Sequence, residues 1–402
     1  MPDYKYKAIN TAGKTVEGIH TARNREEVIT MLRGNKYFPV SVEEHVQSKQ
    51  INISLFNKVK LKDISIFCRQ FHAMLNAGVS IINCLDILRQ QIENKRLKTV
   101  TGEVYELVQK GLTLSEALRR HMEVFPELLV NMIEAGEASG NLDTIMDRMA
   151  THYDKENRIS RKVKGAMVYP AFLGSIATLV VTGMLIFIFP TFVSLFEQVG
   201  AELPTITRFV QGLSNGLQKY WYIVIAVIIL AVYMLKRFSG SEAGRLILDG
   251  LKFKIPVMKS TTSKIVTSRF ARTLSTLMSS GMPLLHAMEL VAKVVGNKVV
   301  EKGILNAKEE VRKGVSLAGP IKKIGIFPPM LISMLSIGEE SGTLDDVLER
   351  TATFYDGEVE AAIDNMTKLL EPIMLLVMAV MIGFIAVAML LPMFDIMTKI
   401  QY

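Results

Sequence analysis

The sequence predicts a mainly α-helical membrane protein: two duplicated helical-bundle domains, three transmembrane helices and a small α+β N-terminal domain. Three observations lead there. The first is a repeat. Phe67, Arg69, Gly78 and Lys110-Gly111 recur as Phe270, Arg272, Gly281 and Lys313-Gly314 at a constant offset of 203 residues. After one deletion the offset is 202, and Phe125-Pro126, Tyr153, Glu156, Pro170 and Pro190 meet Phe327-Pro328, Tyr355, Glu358, Pro372 and Pro392. A solenoid repeat has a period of roughly 20–50 residues; each copy here runs about 125, the size of a domain. The second observation is that each copy ends in a long uncharged stretch. The third is composition: 49% of the 402 residues are hydrophobic and mean hydropathy is positive, as in a membrane protein.

In chain order, residues 1–45 read as the small α+β domain. Tyr4–Ile9 and Thr15–His20 alternate on either side of an Asn10–Gly13 turn, the pattern of a hairpin. Asn24 is placed to cap a short helix through Arg33, with Glu26 and Glu27 in its first turn, and Phe38–Val42 reads as a third strand. A linker, 46–62, leads to the first bundle, 63–165. About six helices are expected in each bundle. Ile64, Phe67, Phe71, Met74 and Leu75 keep helical spacing, Gly78 stops that helix and Ser80 opens the next. Lys110-Gly111 and Lys313-Gly314 end a third helix, with Thr113 and Ser316 capping a short fourth. Phe125-Pro126 and Phe327-Pro328 mark the following corner.

The three spans are read as 166–192, 220–236 and 372–394. No charged residue lies between Lys164 and Glu197, and at 1.5 Å per residue that stretch exceeds the roughly 30 Å of a hydrocarbon core. The second span is short, flanked by Lys219 and Lys236-Arg237, with Trp221 and Tyr222 suited to a headgroup belt. An external loop, 193–219, joins the first two; the second bundle, 237–371, precedes the third; residues 395–402 form an external tail. Arg158, Arg161, Lys162 and Lys164 precede span one, and Lys236, Arg237 and Arg245 follow span two. The positive-inside rule then puts both bundles and the N-terminus in the cytoplasm of a multi-pass membrane protein.

The net charge of +8 is assigned to this topology rather than to nucleic acid, because no basic run interleaved with aromatic residues occurs. Cys68 and Cys84 are the only cysteines, and their counterparts are Ala271 and Ala287, so free buried thiols are expected. Gly13-Lys14-Thr15 resembles the tail of a phosphate loop, but Ala8 stands where the first glycine belongs and a strand follows. The histidines form no metal-binding pair. The recurring carboxylates Glu137/Glu339, Asp143/Asp345, Asp154/Asp356 and Glu156/Glu358 suit helix starts and salt bridges better than a cation. No catalytic set, cofactor or metal is expected. Small residues in spans one and three, among them Gly174, Thr178 and Gly383, suit helix–helix contact, and a homo-oligomer is expected.

The strongest local motif is G-E-x-S-G-x-L. It comprises Gly136, Glu137, Ser139, Gly140 and Leu142, with Asp143 following, and again Gly338, Glu339, Ser341, Gly342 and Leu344, with Asp345 following. Its physics is that of a corner: Gly140 or Gly342 breaks one helix, Asn141 or Thr343 caps the next, and Asp143 or Asp345 meets the positive end of the new helix dipole. The corner and its Glu are also the candidate docking point for a partner protein.

This doubled motif, Tyr169-Pro170 and Glu371-Pro372 before the spans, Pro190 and Pro392 at their far ends, the Tyr-x-Tyr-x-Ala hairpin and the three-span plan resemble one family. It is the type II secretion system F / type IV pilus inner-membrane platform family, and the resemblance covers essentially the whole chain. It implies a non-enzymatic assembly protein between a hexameric cytoplasmic ATPase and pilin or pseudopilin membrane helices, working with other inner-membrane assembly proteins. Copy one departs from copy two in having Tyr169 where copy two has Glu371, and Glu371 is expected to make an interfacial or inter-helix contact. The rival class is a small-solute transporter or channel; it calls for polar residues lining the spans, and no charged residue lies inside any of them short of Lys236 at the end of the second.

Overall fold

A computed structural model describes residues 3–9, 15–22, 24–35, 37–44, 58–198 and 203–400. They fall in two compact units, Met1–Lys58 and Val59–Tyr402.

In the first unit, β1 (Asp3–Ile9) pairs antiparallel with both β2 (Thr15–Thr21) and β3 (Phe38–Glu44), in the order β2-β1-β3. Between β2 and β3 runs α1 (Arg25–Gly34), whose start is fixed by the Asn24 side chain accepting from the Glu27 N–H at 2.9 Å. Tyr4 and Ala8 from β1, Val28 and Leu32 from α1 and Val42 from β3 close its core. The expected turn lies outside the described residues, as do Gly13 and Lys14; Thr15 opens a strand.

The second unit is helical. Copy one is α2 (Leu61–Asn76), α3 (Ile81–Gln91), α4 (Lys95–Gln109), α5 (Leu114–Arg119), α6 (Glu127–Ser139) and α7 (Leu142–Gly183). A π-helical turn, Met184–Ile188, leads to α8 (Phe189–Gln198), followed by α9 (Thr205–Gly240) and α10 (Glu242–Lys252). Copy two is α11 (Pro256–Met278), α12 (Leu284–Val294), α13 (Lys298–Arg312), α14 (Ala318–Lys323), α15 (Pro329–Ser341) and α16 (Leu344–Ile400). Six helices answer six, as the repeat requires.

The matching residues do matching work. Gly78 and Gly281 both adopt φ of +79° after the first helix, a conformation that costs glycine nothing. Asn94 and Asn297 each cap the third helix by accepting two backbone N–H groups. Phe125 and Phe327 lie against Phe67 and Phe270 with ring centroids 5.4 and 5.0 Å apart. Cys68 and Cys84 are free and buried in copy one's core, and burial raises both thiol pKa values.

The structure corrects several sequence expectations. α2 begins at Leu61, within the stretch read as linker; residues 45–57 lie outside the described ones. Asn141 makes no side-chain cap: its backbone alone starts α7. In copy two Ser316 does not cap α14, whereas Thr113 caps α5 reciprocally with Glu116; the counterpart of Glu116 is Gly319, which has no carboxylate to offer. The segment expected as a loop, 193–219, is largely helix, since α8 runs to Gln198 and α9 starts at Thr205. The buried residues of α9 are Thr207, Val210 and Ser214, a helical spacing carried mainly by hydroxyls that a hydropathy pattern does not register. α9 kinks at Tyr220 (φ −119°, ψ 21°), where the second span was expected to begin. Residues 395–400, read as a tail, continue α16.

Three helical stretches are long and apolar enough to cross a membrane: Leu142–Phe196, Thr205–Gly240 and Leu344–Met393. The first and third are continuous with the last helix of each bundle.

Candidate functional site

The repeated motif is a corner in which each recurring letter has a mechanical task. Gly136 and Gly338 permit close approach: a Cβ on Gly136 would lie 2.9 Å from Ile145 Cγ1 and 3.2 Å from Leu142 Cα, and one on Gly338 would lie 2.9 Å from Leu344 Cα. Ser139 and Ser341 donate back to the carbonyls of Ala135 and Ile337, at 2.9 and 2.7 Å, closing the last turn. Gly140 and Gly342 take left-handed φ of 74° and 71°, ending α6 and α15. Leu142 and Leu344 are buried.

The glutamate reaches away from the corner. Glu137 Oε1 accepts from the Leu114 N–H at 2.6 Å, and Oε2 accepts from the Ser115 N–H at 3.0 Å and its hydroxyl at 2.5 Å. Glu339 reaches the equivalent place in copy two through partly different donors, its oxygens accepting from the Leu317 N–H at 2.7 and 2.9 Å and from the hydroxyl of the preceding Ser316 at 2.6 Å. A carboxylate on a helix N-terminus satisfies orphan donors and meets the positive end of the dipole. The two motifs that repeat most clearly, Lys-Gly-x-[Ser/Thr]-Leu and G-E-x-S-G-x-L, are therefore two halves of one joint. The link was missed in the sequence because about 23 residues separate its ends. The side chains left exposed at the tips are Ala138, Ser139 and Asn141 in copy one and Glu340, Ser341 and Thr343 in copy two.

Asp143 and Asp345 offer their main-chain carbonyls to the first helix of their own bundle. Asp143 O bonds His72 Nδ1 at 2.8 Å and Asp345 O accepts from the Ser275 hydroxyl at 2.9 Å. His72 and Ser275 are counterparts, so the same joint is made by different chemistry.

Further carboxylates lie at the seam where α7 and α16 pack. Arg158 meets Glu360 at 2.9 Å, and Lys162 meets Glu360 and Asp364, each at 3.3 Å. Tyr169 donates to Glu371 at 3.5 Å, making Glu371 an inter-helix contact. Arg158 and Glu360, Lys162 and Asp364, and Tyr169 and Glu371 are counterparts under the 202-residue offset. The two helices therefore run side by side in the same direction about a local twofold, one basic and one acidic.

Further into the bundles the seam loses this symmetry. Glu156, 8% exposed, is held by Arg269, whose Nε lies 3.0 and 3.1 Å from its two oxygens. Glu358 instead pairs within its own copy, with Lys264 at 2.7 Å. Asp356 accepts from Ser268 at 2.7 Å and pairs with Arg272, with Lys155 at 3.5 Å. Beside these charges His152 is buried with Nδ1 unpartnered. Burial lowers its pKa from 6.5 to about 4; Glu156 pulls it upward, and Arg272 and Arg269 push it down.

Where the spans end, α9 completes a second joint. A proline has no N–H, so Pro190 and Pro392 leave the carbonyls of Ile186 and Ala388 without their helical donors. Gln218 Nε2 donates to Ile186 O at 3.0 Å, and the buried Thr207 hydroxyl donates to Ala388 O at 2.7 Å. Ser214 adds a 2.5 Å bond to Leu185 O within the π turn. Ile186 and Ala388 are themselves counterparts. The first half of α9 thus crosses the two spans at equivalent heights and repairs both helices.

A doubled bundle whose last helices become paired spans defines a polytopic membrane protein with a scaffold's architecture, its recurring polar residues spent on joints. Residues 67–190 and 270–392 each match the family Type II secretion system (T2SS), protein F, and residues 1–43 match the N-terminal domain of the same family. The chain belongs to this family. Both matched ranges start at the repeated Phe and end at the repeated Pro. Among its relatives is the type IV pilus assembly protein PilC of Myxococcus xanthus, 34% identical over 99% of this chain and 96% of the relative. The type IV pilus assembly protein TapC of Aeromonas hydrophila is 35% identical over 98% and 95%. The type II secretion system protein F of Vibrio cholerae is 30% identical over 98% of each.

Proposed function

We propose that this chain is the inner-membrane platform of a fibre-building machine, coupling a cytoplasmic assembly ATPase to polymerisation of pilins or pseudopilins without catalysing a reaction itself. Its pilus-assembly relatives favour a type IV pilus over a secretion pseudopilus. The bundles and N-terminus lie in the cytoplasm in this reading, which the basic flanks of spans one and two support. The exposed corner tips around Ser139-Gly140 and Ser341-Gly342 are the candidate ATPase contacts, and the spans face pilin membrane helices.

One observation supports coupling above the rest: α7 and α16 are each a single helix from bundle core to membrane, 42 and 57 residues long. A displacement of either bundle therefore reaches the membrane without crossing a loop. Inserting two glycines after Gly165 interrupts this continuity in copy one. Fibre yield is expected to collapse while the protein still reaches the membrane and co-purifies with the ATPase. Normal fibre yield overturns transmission through the helix; loss of fibres by a chain that, before insertion, never binds the ATPase overturns the ATPase as its driver.

A further inference from the structure

The short helix α10 is amphipathic in the wrong sense for a bundle helix. It docks on copy two through a polar residue: Asp249 is buried, accepting the Lys298 N–H at 2.9 Å and the Lys252 ammonium at 2.7 Å. Three of its leucine and isoleucine side chains turn outward, with Leu246, Ile247 and Leu251 exposed at 45, 60 and 50%, continued by Ile255 and Met258, while Leu248 is half-buried. Positions 246, 247 and 251 lie on one face of a helix. Water on that face would oppose the hydrophobic effect.

Chain continuity says what covers it. α9, the second candidate span, ends at Gly240, and α10 begins at Glu242 after the single residue Ser241. Ser241 accepts from the Gly244 N–H at 3.1 Å while donating to Phe238 O at 2.8 Å, which fixes a tight bend as the chain leaves the span. A helix bent off the end of a span stays at the level of the headgroups. The charges agree: Lys236, Arg237, Arg245, Lys252, Lys254 and Lys259 stand against Glu242 and Asp249 over this stretch. Arg245 and Lys254 are exposed. An apolar face bordered by cations is the pattern of helices lying in an anionic lipid interface.

We propose that α10 is an interfacial anchor: Leu246, Ile247 and Leu251 insert among the lipids of the bilayer that α9 crosses, and Arg245 and Lys254 bind anionic phospholipid headgroups. The helix then ties copy two to the membrane surface from the side opposite α13. This rests on α9 being a span, so the test carries its own check of that reading.

The full chain is reconstituted into vesicles of phosphatidylcholine, with or without phosphatidylglycerol, carrying an environment-sensitive fluorophore on a cysteine at one position: Ile247→Cys, Ile228→Cys in the span, or Ile337→Cys on the exposed surface of α15. Cys68 and Cys84 are buried and stay unlabelled. The label at 228 reports the span, quenched by lipid-borne nitroxide and shielded from aqueous iodide; the label at 337 reports the opposite. The expected result is that the label at 247 behaves like 228 in vesicles containing phosphatidylglycerol. Arg245→Gln and Lys254→Gln should each shift the inserted population toward the exposed one by about fivefold.

A label at 247 quenched by iodide like that at 337 overturns the proposal while 228 preserves the span. Insertion indifferent to phosphatidylglycerol and to both Gln variants overturns anionic headgroup binding. Shielding seen only in native membranes and never in pure lipid assigns the face to a protein partner instead.

Discussion

The two bundles have the same helices, the same corners and the same phenylalanine pair, Phe67–Phe125 and Phe270–Phe327, yet carry opposite charge where they touch each other. From Lys155 to Lys164, α7 carries five basic residues; the corresponding stretch of α16, Gly357 to Met366, carries Glu358, Glu360 and Asp364 and no base. Elsewhere some substitutions keep the charge, Cys68 and Cys84 against Ala271 and Ala287 and His72 against Ser275 bonding the same carbonyl, while others remove a single charge, as Glu116 against Gly319. A duplicated domain that pairs with its twin has two copies of one surface, and like charges would face each other across the twofold. Opposite charges remove that repulsion and favour the pairing of unlike copies over that of like ones. The difference between the copies thus lies in charge at a shared surface, on a common scaffold.

The largest expected effect comes from the asymmetric part of the seam. Arg269→Met leaves Glu156 buried without its cation, which costs about 3–5 kcal/mol in such sites. Lys264→Met breaks the counterpart pair, where Glu358 is 38% exposed, and costs about 1 kcal/mol or less. Thermal unfolding of the purified full chain in lipid nanodiscs distinguishes them. Equal losses would show that the copies hold these two glutamates alike, and the comparison would break.

The fold was largely legible because repetition did the work that a single pattern does poorly. A lone Gly or Phe-Pro is weak information, but the same residue at the same place twice names a helix end, and all twelve bundle helices follow. The first and third spans were legible from the absence of charge. The joints were not. Glu137 was visible as a repeated carboxylate, but its receptor is the start of α5, which no local pattern connects to it. The first half of α9 was read as a loop because its buried face is Thr207 and Ser214, hydroxyls aimed at carbonyls in and beside the paired spans. Sequence patterns register apolar burial, and these contacts are polar burial satisfied from a distance.

The next effect separates the copies by pH. His152 stands where copy two has Phe354, and each ring lies edge-on to the following tyrosine, with centroids 5.2 and 5.3 Å apart. Only the histidine titrates. Its pKa is lowered to about 4 in the folded chain by burial, against about 6.5 unfolded. Below 6.5 the unfolded chain therefore binds a proton that the folded chain refuses, and stability falls as pH drops. The contribution is fully present above pH 6.5 and is lost progressively down to about 4, amounting to about 3 kcal/mol. His152→Phe makes copy one resemble copy two here and should flatten the unfolding midpoint between pH 6.5 and 4. An unchanged slope would place the acid sensitivity in the carboxylates of the seam instead.

The smallest effect tests what charge does at the symmetric part of the seam. Arg158 is 60% exposed on its side chain and Glu360 33%, so water and salt screen their attraction and the pair contributes about 1 kcal/mol or less. Arg158→Glu sets a carboxylate against Glu360, and Glu360→Arg sets a guanidinium against Arg158 and Lys162. Each reversal alone should lower the unfolding midpoint slightly at low ionic strength and hardly at all at high. Together they restore the arginine–glutamate contact with its ends exchanged. The guanidinium introduced at position 360 still faces Lys162, so recovery is expected to be partial. A double variant no more stable than the sum of the two singles would mean that packing alone chooses which copy meets which. Partial recovery that disappears in salt would mean that the opposite charges of α7 and α16 help to make that choice.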